Sequence, residues 1–321
     1  MKAIVQDTYG NADVLKYRDI ERPEPKKNEV LLRVHAAGLD KGVWHIMAGI
    51  PYVMRVATGL RAPKVRLGGD VAGRVEAVGA DVTAYKQGDQ VFGTCDGSFA
   101  EYACARHDRI LPMPANVTFE QAAAVPTSAG TALQALRTVG EVRQGRKVLV
   151  TGAGGGVGTF AVQLAKMSGA EVTGVCGASK ADLVRSLGAD HVIDYTSEDF
   201  TAGPGRYDLI VDTAGNRPLS HLRRVLTPRG TAVLVGGKGG PWLSGMDRVL
   251  RAALIGPFTR RKPRMLFALP KQEDLRRLAE LLESGRLTPA VGGTYPLEEV
   301  PKAMRLLAEG HMTGKTVIKV V

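Results

Sequence analysis

Apolar and polar positions change period along this chain. Over residues 1–118 the apolar residues come in short groups broken by glycine and polar turns. In 29–36, Val30, Leu32, Val34 and Ala36 fall on one face, which predicts a half-buried strand. Residues 70–79 predict a pair of strands with glycines at the bends, and 88–93 and 98–103 continue the series. Between them, 42–69 is apolar and basic by turns and reads as a loop or short helices beside a site. From residue 119 the period lengthens, predicting helix through 120–124 and again through 131–139. Strands at 148–150, 171–176, 191–193, 209–211 and 231–235 then alternate with helices at 180–187 and 219–226. Residues 265–268 add an expected edge strand. Such alternation implies a parallel sheet with right-handed crossovers. In the tail, Leu275, Leu278, Leu281 and Leu282 stripe one helix, Val300, Ala303, Met304 and Leu307 a second, and 316–320 closes as a strand.

The junction after 148–150 carries the chemistry. Five of the seven residues from Gly152 to Gly158 are glycine. Apolar residues then recur with helical spacing at Val157, Phe160, Ala161, Leu164 and Ala165. Strand, glycine turn and helix in that order is the context of a dinucleotide fingerprint. Its glycines allow a tight turn, close approach of backbone to a pyrophosphate, and close packing of helix on strand. Aligned on Gly155 and Gly158 the motif is Ala153-x-Gly155-x-x-Gly158, with Gly154, Gly156 and Val157 between. The helix N-terminus presents open N–H groups to the phosphates. NAD enzymes hold a carboxylate about 20 residues further on, at the ribose 2′-hydroxyl. Here the corresponding stretch is Val175-Cys176-Gly177-Ala178-Ser179-Lys180, with a hydroxyl and an ammonium instead of an acid. That favours a 2′-phosphate and hence NADPH.

Composition narrows the picture. At 321 residues the chain suits two domains, and 44% hydrophobic with 23% charged residues is ordinary for a globular protein. The longest apolar runs fall short of the ~18 residues that a membrane span needs. The N-terminus is charged too soon for a signal peptide, so a cytoplasmic location is expected. Cys95, Cys104 and Cys176 are widely spaced and read as reduced thiols. The formal net charge is +11, concentrated at Arg55, Arg61, Lys64 and Arg66 and again at Arg260, Arg261, Lys262 and Arg264. These clusters are either solvated surface or an attraction for acidic carriers or anionic lipid. No nucleic-acid-binding motif accompanies them, and no nucleic-acid partner is expected.

With these residues assembled, the chain resembles the medium-chain dehydrogenase/reductase superfamily, in its zinc-free quinone oxidoreductase (zeta-crystallin-like) branch. The carriers are residues 37–40 (Ala-Gly-Leu-Asp), 69–73 (Gly-Asp-Val-Ala-Gly), 88–93, 97–102, the glycine motif, 187–195 and 295–297. The resemblance implies an α/β chain in which a Rossmann doubly wound parallel sheet is joined to a GroES-like β-rich catalytic domain. The expected domains are 1–118 with 269–321 (catalytic) and 119–268 (NADP-binding). It also implies a homodimer and hydride transfer from a nicotinamide to a quinone, enone or enoyl thioester. Relatives contact the 2′-phosphate through residues matching Lys180 and Tyr195. Zinc-dependent relatives carry a ligand cysteine where Asp40 stands and a Gly-His-Glu where Gly68-Gly69-Asp70 stands. Two aspartates alone make a poor zinc set, so no metal is expected.

Hydride transfer needs orientation, a dry cleft and a donor where enolate charge develops. Asp40 is either a buried, protonated donor or a turn aspartate. Tyr52 lies near a family active-site tyrosine, and His45 in the same segment titrates around neutrality. Trp44, Met47 and Met54 are expected to line the pocket, and Thr127 and Thr131 to contact nicotinamide or substrate. Two alternatives remain open at this level: a zinc-free NADP-dependent alcohol dehydrogenase, and a cofactor-binding protein without turnover.

Overall fold

In the computed structural model, which describes residues 1–237 and 261–321, the chain divides into two units. The first comprises Met1–Gly130 and Pro270–Val321, the second Thr131–Leu269. The first division therefore falls inside the helix Pro126–Gln134 and not at 118/119. The reason is packing: the short helix Phe119–Ala123 buries Ala122 and Ala123 against the β-rich sheet of the first unit. Its N-terminus is closed by a capping box between Thr118 and Gln121.

Strands are numbered in chain order. The first unit holds β1 (Lys2–Gln6), β2 (Leu15–Asp19), β3 (Glu29–Leu39), β4 (Asp70–Val78), β5 (Gln90–Thr94), β6 (Tyr102–Arg106) and β7 (Ile110–Pro112). The tail returns β14 (Val291–Pro296) and β15 (Lys315–Lys319) to the same unit. Its main sheet runs β14-β15-β3-β4-β5-β7, with β6 also paired to β3. Residues 70–79 form one strand and not two, because β3 and β4 stay paired from Val30↔Val78 to Gly38↔Asp70. Gly73 serves that pairing by close approach, since a Cβ there would overlap the Arg33 carbonyl, and the register shifts between Val34 and Ala36 beside it. The strand expected at 98–103 forms slightly later, as β6. Its apolar face joins Val30, Leu32, Val34, Val71, Val75 and Val91 in one core.

The second unit is the parallel sheet. It contains β8 (Lys147–Thr151), β9 (Glu171–Cys176), β10 (His191–Asp194), β11 (Tyr207–Asp212), β12 (Leu226–Leu234) and β13 (Lys262–Met265). Their order is β10-β9-β8-β11-β12-β13, every pair parallel. Counted from β8, that is 3-2-1-4-5-6, the dinucleotide-binding order whose topology reverses between the first and fourth strands. The edge strand lies at Lys262–Met265 and not at 265–268, because Thr231 to Leu234 pair with those four residues. Phe267 and Leu269 stand exposed beyond it. Arg260 of the second basic cluster lies outside the described residues. The three cysteines are free.

Candidate functional site

The second unit builds its site at the carboxyl ends of β8 and β11, where the sheet reverses direction. Val148, Leu149 and Val150 are fully buried, and the chain then turns at Gly152, whose φ of 65° favours glycine. The helix Gly156–Met167 follows, capped by Gly155, which offers no side-chain acceptor to its first-turn N–H groups. A Cβ on Gly158 would overlap the Gly152 carbonyl, so glycine is what allows the helix to close on the turn. Gly154 has another function. A Cβ there would lie 2.8 Å from Lys180 Cβ and 2.9 Å from its Cδ, because the lysine stem crosses the turn at that point. Ala153 is buried and donates its N–H to the Val175 carbonyl, fixing the turn to β9.

Around the end of β9 the remaining expected residues gather. Ser179 is exposed in the 3₁₀ turn Ala178–Lys180, and burial holds the Lys180 ammonium below the ordinary lysine range. Tyr195 is exposed and its N–H donates to the Cys176 carbonyl, placing its ring beside Gly177. No carboxylate ends β9; Cys176 does, with burial raising its thiol pKa.

One network here was not visible in the sequence. Asp212, fully buried at the end of β11, accepts the Thr151 hydroxyl at 2.7 Å and the Gly215 N–H at 3.2 Å. Thr213 donates its hydroxyl to the Thr151 carbonyl at 2.6 Å, and Ala214 N–H reaches Thr151 Oγ1 at 3.3 Å. The two strand ends at the switch point are thus tied together through side chains.

The first unit places Asp40, His45 and Tyr52 on one segment. Asp40 is an N-cap: its Oδ1 accepts the Val43 N–H at 3.1 Å at the start of the helix Lys41–Ala48. Gly49 closes that helix in the left-handed conformation. His45 Nδ1 lies 2.7 Å from the Ile50 carbonyl oxygen. A carbonyl only accepts, so Nδ1 carries the proton and donates it, which assigns the tautomer. Burial lowers the His45 pKa, so the ring is neutral at pH 7. Tyr52 lies in the following 3₁₀ turn with the Arg55 guanidinium 4.5 Å over its ring. Trp44 is packed under Lys41. Met47, expected to line a pocket, is instead buried in the core beside Val43, Leu67 and Phe99.

Behind Asp40 lies a second buried network, centred on Lys315. Because β15 pairs with the end of β3 (Thr316↔Leu39) and β4 pairs there too (Gly38↔Asp70), residues 245 positions apart meet. Lys315 Nζ donates to Asp70 Oδ2 at 3.0 Å and to Ser128 Oγ at 3.2 Å, and stands 3.8 Å from Asp40 Oδ2. Asp70 Oδ1 accepts both the N–H (2.9 Å) and the hydroxyl (2.5 Å) of Thr127. Burial pushes the Asp70 carboxyl up and the ammonium opposes it. Both oxygens receive donors, which is the arrangement of a carboxylate. Gly38 makes room for this, since a Cβ there would come within 2.8 Å of Asp70 Cβ. Thr127 is therefore committed to Asp70, and Thr131 is buried one turn along the same helix.

This donor set does not suit zinc. Asp40 and Asp70 face an ammonium, and among the described residues no group of three or more His, Cys, Asp or Glu could hold a metal ion.

Comparison with known proteins gives a consistent picture. A zinc-binding dehydrogenase family model matches residues 187–318, and an alcohol dehydrogenase GroES-like domain model matches 26–115. The chloroplast envelope quinone oxidoreductase homolog of Arabidopsis thaliana is 32% identical over 99% of this chain and 98% of its own. The mitochondrial NAD(P)H oxidoreductase RTN4IP1 of Bos taurus is 33% identical over 100% of this chain and 89% of its own. Among solved structures, the quinone oxidoreductase from Coxiella burnetii superposes with a TM-score of 0.88 at 32% identity, covering 100% of this chain and 99% of that one.

Proposed function

The chain belongs to the quinone oxidoreductases of the medium-chain dehydrogenase/reductase superfamily, and from that premise we propose that it uses NADPH, without zinc, to reduce quinones or enones. The observation that carries the cofactor choice is the end of β9. β9 itself ends in Cys176 and not a carboxylate, the neighbouring Asp194 of β10 being held by the Thr196 and Ala178 N–H groups, while Lys180 crosses Gly154 and Tyr195 flanks Gly177. The glycine turn and the first-turn N–H groups of Gly156, Val157 and Gly158 would hold the pyrophosphate. Bound there, the cofactor supplies a hydride.

The residues of this chain do the rest by positioning. Asp40 fixes the start of the segment that carries His45 and Tyr52, with Lys315 and Asp70 holding it from behind. His45, neutral and Nδ1-protonated, keeps a lone pair on Nε2, and Tyr52 supplies a hydroxyl. With both aspartates occupied by Lys315 and backbone N–H groups, these residues offer a Lewis-acid ion no ligand set, which supports a metal-independent reduction.

Titrating NADPH and NADH against the protein tests the reading. NADPH is expected to bind at least ~10-fold tighter, as one charge-assisted contact is worth ~1.5–3 kcal/mol. Lys180→Ala should remove most of that preference. Equal affinities in the parent protein would overturn the assignment. Consumption of NADPH with quinones and enones should persist after chelation.

A further inference from the structure

Residues 41–69 contain five basic side chains, Lys41, Arg55, Arg61, Lys64 and Arg66, and no acid. The structure divides this stretch into an anchored side and an open side. Arg55 anchors it: its Nε donates to the Gly49 carbonyl at 3.0 Å and its guanidinium lies 4.5 Å over both Tyr9 and Tyr52. Tyr9 completes the staple through its hydroxyl, 2.6 Å from the Gly59 carbonyl and 2.8 Å from Thr58 Oγ1. On the open side stand Val53, Val56 and Leu60, exposed by 55%, 77% and 71%. Val53, Val56 and Ala57 follow i, i+3, i+4 across the turns Tyr52–Met54 and Arg55–Thr58, with Leu60 just beyond. Arg61, Lys64 and Arg66 follow directly in sequence, are exposed and form no ion pair among the described residues.

Exposed aliphatic side chains held outward by a rigid staple, and bordered by unpaired cations without an acid, combine the two requirements of an interfacial site. Apolar groups enter the headgroup region while Lys and Arg meet anionic lipid. We infer that the segment 53–66 is a docking surface for an anionic membrane. A soluble acidic carrier would use the cations but would leave Val53, Val56 and Leu60 in water, so the lipid surface is the better fit. The inference concerns binding and is independent of the reaction catalysed.

Vesicle co-sedimentation tests it with the full chain. Binding is expected to vesicles of phosphatidylcholine mixed with phosphatidylglycerol, not to phosphatidylcholine alone, and to weaken as salt rises from ~0.1 M to ~1 M. Each basic residue near such a surface is worth about fivefold in partition, so Arg61→Gln/Lys64→Gln should lose roughly 25-fold. Val56→Asp/Leu60→Asp should lose about tenfold or more, with folding confirmed by an unchanged melting temperature. The exposed pair Arg229→Gln/Arg286→Gln serves as a charge-matched control and should change binding little. Three results would overturn the inference: no binding to anionic vesicles, equal losses in the control pair, or binding indifferent to the Val56 and Leu60 substitutions.

Discussion

Lys315 has 1% of its side chain exposed and faces two aspartates. Taking an ammonium and a carboxylate out of water costs several kcal/mol per ion, so the Lys315–Asp70 pair adds little net stability as a pair. Breaking it is another matter, because the survivor stays buried without its partner. Lys315→Met is therefore expected to destabilise the first unit by about 3–5 kcal/mol, read as a shift in denaturant midpoint. Lys315→Met/Asp70→Asn should recover much of that loss, since a neutral amide leaves no stranded charge. A single variant as stable as the parent would show that the pair is dispensable. Nothing in the sequence around Lys315 signals this role. A lysine opening the apolar run Thr316-Val317-Ile318 reads as a strand-end residue at the surface, and its partners lie hundreds of positions away.

At the scale of single elements, the helix Lys41–Ala48 depends on Asp40 for its start. Replacing that cap by alanine is expected to cost ~0.5–2 kcal/mol, whereas Asp40→Asn retains an acceptor for the Val43 N–H. If Asp40 acts by positioning, Asn keeps turnover near the parent's and Ala loses it. A stable Asn variant with collapsed kcat would instead place the carboxyl in the chemistry. Local patterns predicted such elements well where one rule dominated. The glycine turn with its helix, the strand starting at Glu171 and the two amphipathic tail helices follow from periodicity alone. Boundaries moved where tertiary pairing decided, as in β4, paired along its length with β3, and β13, held by β12. The helix Phe119–Ala123 illustrates a further gap, since its alanines suit either unit and only packing against β3 and β4 chooses one. The site was legible to the same extent. The cofactor turn is contiguous in sequence, whereas the Asp212–Thr151 and Asp70–Lys315 networks exist only once strands align.

For the molecule as a whole, two half-buried histidines set its response to acid. His45 donates to the Ile50 carbonyl, and burial holds its pKa below that of a free imidazole. His35 is stacked on Phe119 at 4.2 Å between ring centres, and its buried Nε2 has no hydrogen-bond partner among the described residues. Burial lowers its pKa too, helped by the charges of Arg74 and Arg33. Above about pH 7.5 both rings are neutral folded or unfolded and contribute no pH dependence. Below it the unfolded chain takes up protons that the folded one refuses, so the unfolded state binds more protons and stability falls with falling pH. Both residues belong to the first unit, so its transition is the one expected to respond. Carboxylates act in a lower window: Asp190, held down by Lys166 and the Val172 N–H, gives up stability only as pH falls through its own depressed pKa. Melting curves from pH 7.5 to 5.5 should therefore show the first unit's transition falling steadily, and His35→Phe/His45→Gln should flatten that slope. An identical slope in the double variant would trace the acid sensitivity to groups other than these two rings.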